Sequence, residues 1–88
     1  MDVKQIRTDL GLTQQQLSAV LGCHTMTVSK WERGVLRPRP WDLAMLEAFR
    51  RAVQADDGIG PKVYQRLLRG GYAEGLYLLL RTALEPDG

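Results

Sequence analysis

Apolar residues spaced three and four apart, in stretches divided by glycine and proline, predict a chain of short helices. Val3, Ile6 and Leu10 share one face of a first helix, with Asp2 placed to cap it and Gly11 to stop it. Thr13-Gln-Gln-Gln16 has the spacing of a capping box and opens a second helix. Its buried face is Leu17, Val20 and Leu21, and Gly22 ends it. Cys23 and His24 bridge into a third helix capped by His24 or Thr25. Thr27, Val28 and Trp31 face inward there. Thr25, Met26, Ser29, Lys30 and Arg33 are left outside, and Gly34 closes the segment.

Val35 to Arg39 is a basic connector containing proline. Pro40 then suits the first position of a fourth helix running to about Gln54, with Leu43, Leu46, Phe49 and Val53 as its stripe. Arg39 occupies its cap position without a cap's oxygen, a loss Pro40 only partly offsets. Asp42 suits the positive end of the helix dipole. Ala55 to Gly60 is the clearest break. Pro61 starts a fifth helix to about Arg69, with Val63, Tyr64, Leu67 and Leu68 apolar, and Gly70-Gly71 interrupts it. A sixth helix, Tyr72 to Leu84, is apolar on more than one face through Leu76, Tyr77, Leu78, Leu79, Leu80, Ala83 and Leu84. One small domain would struggle to cover all of that, so this helix is expected to carry an association surface. The tail, Glu85 to Gly88, is expected to fray.

Composition adds limits. Eighty-eight residues make one domain with one modest core. The net charge is only +2, but it is uneven. Between His24 and Arg39 stand four bases, Lys30, Arg33, Arg37 and Arg39, against the single acid Glu32. Such a patch suits a polyanion partner; solvated surface charge is the alternative reading. The lone Cys23 has no partner for an internal disulfide and reads as a small core residue. The N-terminus has no apolar leader, and the longest apolar run, Leu76 to Leu80, is too short to span a bilayer. A cytoplasmic protein with no membrane partner is expected.

One set of residues carries a resemblance. Ile6-Arg7, Gly11-Leu-Thr-Gln14, Leu17, Leu21-Gly22, Thr27-Val28-Ser29, Trp31-Glu32-Arg33-Gly34 and Pro38 follow the pattern of the lambda-repressor/Cro-like, or Xre-type, helix-turn-helix family. Residues 4–54 strongly resemble it. The resemblance implies an all-α, lambda-repressor-like bundle of four helices over residues 1–55. Residues 56–88 lie outside it, and are read as a two-helix C-terminal extension of the same compact domain that serves dimerisation.

The family's roles transfer position by position. The third helix would enter the major groove of double-stranded DNA, with Thr25, Met26, Ser29, Lys30 and Arg33 at base edges. Lys30 suits guanine O6 and N7, and Met26 or the Thr25 methyl suits a thymine methyl. Gln14, Gln15, His24, Arg37 and Arg39 would contact phosphates. Arg7 and Glu32 match the family's structural ion pair. Relatives that place Gln at the two leading reading positions differ from this chain, which has Thr25 and Met26, so the operator does not transfer by analogy.

The resemblance therefore implies a sequence-specific transcriptional regulator, a homodimeric repressor joined through Leu76, Leu79, Leu80 and Ala83. The rival readings are an antitoxin that turns the last helix to a toxin, or a protein-binding module of the transcription machinery. No catalytic set, metal site or cofactor is expected: Cys23 and His24 are adjacent and lack further ligands or an orienting group. Trp31 and Trp41 are both expected to serve packing, with contact between Trp41, in the first turn of the fourth helix, and the DNA sugar–phosphate as the lesser alternative.

Overall fold

The computed structural model describes residues 2–85. Six helices account for most of them: α1 (Val3–Leu10), α2 (Gln14–Leu21), α3 (Thr25–Glu32), α4 (Pro40–Ala55), α5 (Ile59–Gly70) and α6 (Tyr72–Leu84). No strand occurs among the described residues, so the fold is all-α. The expected fraying beyond Glu85 falls outside them.

Local chemistry sets the first helix boundaries. Asp2 Oδ1 accepts from the Gln5 N–H at 3.0 Å. Thr13 Oγ1 accepts from the Gln16 N–H at 3.0 Å, and Gln16 Oε1 accepts from the Thr13 N–H at 2.9 Å, a complete capping box. Each bond satisfies a donor that the helix itself leaves free. Gly22 follows α2 at φ 75°, a left-handed conformation that turns the chain sharply into α3.

α4 departs from the expected cap. Arg39 contributes no side-chain acceptor, but Asp42 reaches back. Its Oδ2 accepts from the Arg39 backbone N–H at 3.3 Å and from Arg39 Nε at 2.9 Å. The reverse half of a capping box thus survives, built by the third residue of the helix instead of its cap. The buried stripe is also rotated from the expected one. Met45, Leu46, Phe49 and Ala52 are buried, whereas Leu43 is exposed and Val53 only half-buried. The spacing of apolar residues on α4 is compatible with both phases, and contact with α1 on one side and α6 on the other selects between them.

The α4–α5 break is shorter than expected. Asp56 Oδ1 accepts from the Gly58 N–H at 3.0 Å, and α5 starts at Ile59 instead of Pro61. Pro61 is tolerated as the third residue because first-turn N–H groups have no partner within the helix. Of the apolar residues of α5, Tyr64 and Leu68 are exposed and Leu67 is half-buried; Ile59 and Val63 are the buried anchors.

All six helices feed one core. Leu10, Leu17, Val28, Leu46, Phe49, Ile59, Val63 and Leu79 are all at most 1% exposed. α6 packs chiefly on α4 and α5, with a smaller contact to α2. Burial removes Leu79 from the expected dimer surface. Leu79 is a core residue of its own chain, and Leu76, Leu80 and Ala83 are half-buried against that core. What α6 leaves outside is a different stripe, with Tyr77 and Leu84 61% and 77% exposed.

α5 closes on α1 at a point of backbone contact. A Cβ on Gly60 would stand 2.5 Å from the Leu10 carbonyl oxygen and 2.9 Å from its carbon. Neither atom can swing away as a side-chain end would. Gly60→Ala is therefore expected to destabilise the protein by about 1–3 kcal/mol through overpacking, lowering the melting temperature by roughly 5–20 °C in a thermal scan. An unchanged melting temperature would show that α5 can slide off α1 without cost.

Candidate nucleic-acid interface

α3 is eight residues long and is held from beneath. Val28 is fully buried and Trp31 is 7% exposed, so the helix is anchored by the middle and end of one face. The opposite face presents His24, Thr25, Met26, Lys30 and Arg33 as exposed residues, with Ser29 at its edge. Met26 is 60% exposed. It is an apolar side chain open to solvent among polar ones.

Hydrogen bonds fix the turn that presents α3. Ser18 is buried; its hydroxyl lies 2.7 Å from the Gln15 carbonyl and 3.2 Å from Thr25 Oγ1. Donation to the carbonyl leaves Ser18 Oγ free to accept from Thr25, which ties α2 to the first residue of α3. The Thr25 hydroxyl is thus committed within the chain, and its methyl remains for outside contact. The His24 side chain makes no cap bond to α3. Arg33 Nε donates to Ser29 Oγ at 3.3 Å along the outer face.

The far end of α3 is locked to α1 and α2. Arg7 Nε and Nη2 donate to Glu32 Oε2 and Oε1 at 2.7 and 3.0 Å, a two-point pair with side chains only 16% and 6% exposed. Arg7 Nη1 also donates to the Leu12 carbonyl at 2.9 Å. Gln14 Nε2 donates to Glu32 Oε1 at 3.1 Å. The arginine bonds, with help from Gln14, hold the Glu32 carboxyl below the ordinary glutamate range despite its burial. The same hydrogen bond raises the Arg7 guanidinium. Gln14, marked from the sequence for phosphate contact, is therefore first a member of this network, with its second amide hydrogen still available.

Charge on this side is one-sided. Among the described residues, Lys30, Arg33 and Arg37 make no ion pair, and all three are exposed. The nearby carboxylates are neutralised: Glu32 by Arg7, and Asp42, 1% exposed, by Arg39. Arg39 keeps an open guanidinium beyond that pair, its side chain 77% exposed. Gln15 is exposed at the start of α2. Cys23 is half-buried beneath the turn, and burial foremost, with Asp42 nearby, pushes its thiol pKa up and away from the reactive thiolate.

Two features of this face were not assigned from the sequence. The sequence marks Asp42 as a dipole partner, and an acid three residues after a cap is also the readable half of a capping box. Trp41, expected to serve packing, is 66% exposed, because the buried face of α4 passes through Asp42, Met45 and Leu46 and leaves Trp41 outside.

The pair sets a pH dependence. Glu32 is depressed on folding, so its stabilisation is complete above the ordinary glutamate pKa of ~4.3 and is lost as pH falls through the lower folded value. Glu32→Ala also strands Arg7 and is expected to cost about 3 kcal/mol at neutral pH. The difference in stability between wild type and variant should shrink as pH drops below about 4. Denaturant melts of both proteins across that range check this; a difference that stays constant would remove the carboxylate from the account.

Comparison with known proteins agrees with this geometry. Residues 3–49 match the model of a helix-turn-helix family. No curated protein and no solved structure matches the chain. The matched span begins with α1 and runs through α2 and α3 to Phe49 of α4, so it takes in both ends of the Arg7–Glu32 pair and the face described above. The chain belongs to the helix-turn-helix family of lambda-repressor-like, Xre-type DNA-binding regulators.

Proposed function

We propose that this DNA-binding regulator is a homodimeric, sequence-specific repressor that lays α3 in the major groove. The observation carrying the proposal is the outer face of α3, where the apolar Met26 and the unpaired Lys30 and Arg33 stand exposed on a helix braced at both ends. Bracing matters because a helix read against base edges must be held in one orientation to discriminate among them.

In this reading Lys30 donates to guanine O6 or N7, and Met26 with the Thr25 methyl packs on thymine methyls. Ser29 and Arg33 extend the readout toward the end of the helix. His24, Gln15 and the remaining amide hydrogen of Gln14 hold phosphates on one side, and Arg37 and Arg39 hold them on the other. The network at Glu32 then has two roles in one place: it fixes α3 and it orients Gln14.

A single copy reads only a few base pairs. Two copies related by a two-fold axis would place their α3 helices in successive major grooves, about 34 Å apart, on a near-palindromic site. The apolar stripe of α6, Tyr77 and Leu84 with the half-buried Leu80 between them, supports self-association there. The charges near it are balanced, Arg81 facing Glu85 and Arg66 facing Glu74, so two copies meet without net repulsion. A dimer seated across a promoter represses by occupancy alone.

Selection of bound sequences from a random DNA pool tests the reading directly, with one symmetric motif as the expected outcome. Lys30→Ala should lose about 1–3 kcal/mol at one base position and relax preference there. Arg37→Ala should weaken all sequences alike and flatten the salt dependence by about one phosphate. Identical behaviour of the two variants across sites would undo the division between reading and clamping. For the dimer, the double substitution Tyr77→Glu and Leu84→Glu should leave the fold intact and shift sedimentation from dimer to monomer. A mass that does not change would place the second copy elsewhere.

A further inference from the structure

Trp41 has no structural reason for its place. The chain holds two tryptophans. Trp31 is buried at 7% exposure, whereas Trp41 is 66% exposed at the second position of α4. Tryptophan is on average a highly buried residue, and Trp41 leaves most of its ring in solvent.

Its surroundings say what would cover it. Trp41 follows Arg37 and Arg39 in the connector between α3 and α4. A groove of about 370 Å³ runs beside that connector, lined by Trp31, Gly34, Leu36, Arg37, Pro38 and Leu43, so the end of α3 and the first turns of α4 share one surface. The first turn of α4 therefore flanks α3. The one carboxylate in that turn, Asp42, is buried and paired with Arg39.

A second copy of this chain is a poor occupant. It would bring Arg33, Arg37 and Arg39 against their own counterparts with no free carboxylate to offset them. A polyanion with apolar rings in its backbone fits both properties of the surface at once.

We propose that Trp41 is a further DNA-contacting residue, its ring lying on a deoxyribose and its indole Nε1–H donating to a phosphate of the strand gripped by Arg37 and Arg39. The contact widens the footprint beyond α3 and is independent of base sequence, as phosphate and sugar contacts are. It rests on the reading of α3 as the groove-entering helix.

The test needs no known operator. Full-length protein is titrated with a labelled mixed-sequence duplex at low salt, and anisotropy reports binding. Quenching of tryptophan fluorescence by acrylamide, which adds no ions, reports Trp41, because Trp31 is already shielded. Saturation with duplex should protect the quenchable component, and Trp41→Phe should lack that component from the start. Trp41→Ala should bind the duplex about tenfold more weakly with an unchanged melting temperature, and Trp41→Phe should fall between it and wild type. Binding with undiminished quenching and an undisturbed Trp41→Ala affinity would overturn this proposal and leave α3 as the reader. Protection that appears without DNA as protein concentration rises would overturn it in favour of a protein interface. Absence of any duplex binding would overturn it together with the reading on which it rests.

Discussion

Arg7 and Glu32 lie twenty-five residues apart in the chain and meet at 2.7 Å. That contact joins the first helix to the last turn of the third, and most of what the surface can do depends on it. An ion pair with so little exposure gains little net stability, because desolvation of both charges opposes their attraction. Its value lies in direction. Two parallel bonds from a planar guanidinium leave the carboxylate one orientation, and therefore leave α3 one rotation about its axis. The Leu12 carbonyl and the Gln14 amide complete the shell, so the charges are buried with their bonding capacity used. Among the described residues, no buried side-chain nitrogen or oxygen lacks a partner.

The same economy of charge shapes the outer surface. Glu32 and Asp42, the two acids near α3, are both turned inward onto arginines. Arg7 is consumed by its pair, while Arg39 keeps an exposed head. The result is a surface whose positive potential comes from Lys30, Arg33, Arg37 and Arg39 with no competing free carboxylate. A net charge of +2 would not suggest such a surface. Sorting of charge between interior and exterior, rather than its sum, makes the face suitable for a polyanion.

Residues 56–88 contribute differently. α5 and α6 supply Ile59, Val63 and Leu79 to the core that also holds Leu10 and Leu46. The backbone contact between Gly60 and Leu10 shows how closely the two parts are fitted. The extension thus supports the matched helix-turn-helix span, and it leaves Tyr64, Leu68, Tyr72, Tyr77 and Leu84 exposed.

Much was legible in the sequence because it is decided over a few residues. Asp2, Thr13 with Gln16, Gly11 and Gly22 set the ends of α1 and α2 through bonds and backbone conformations that reach no further than a turn. The inward and outward faces of α3 follow from Val28 and Trp31 alone. Other features are decided by neighbours far away in the chain. Leu79 is core and Tyr77 is surface because α4 and α5 cover one side of α6 and not the other, and an all-round apolar helix carries no mark of which side that is. The α4 stripe admits two phases, and packing between α1 and α6 chose the one that buries Asp42 and exposes Trp41. Periodicity places a residue on its helix; only the assembled helices determine what stands opposite it.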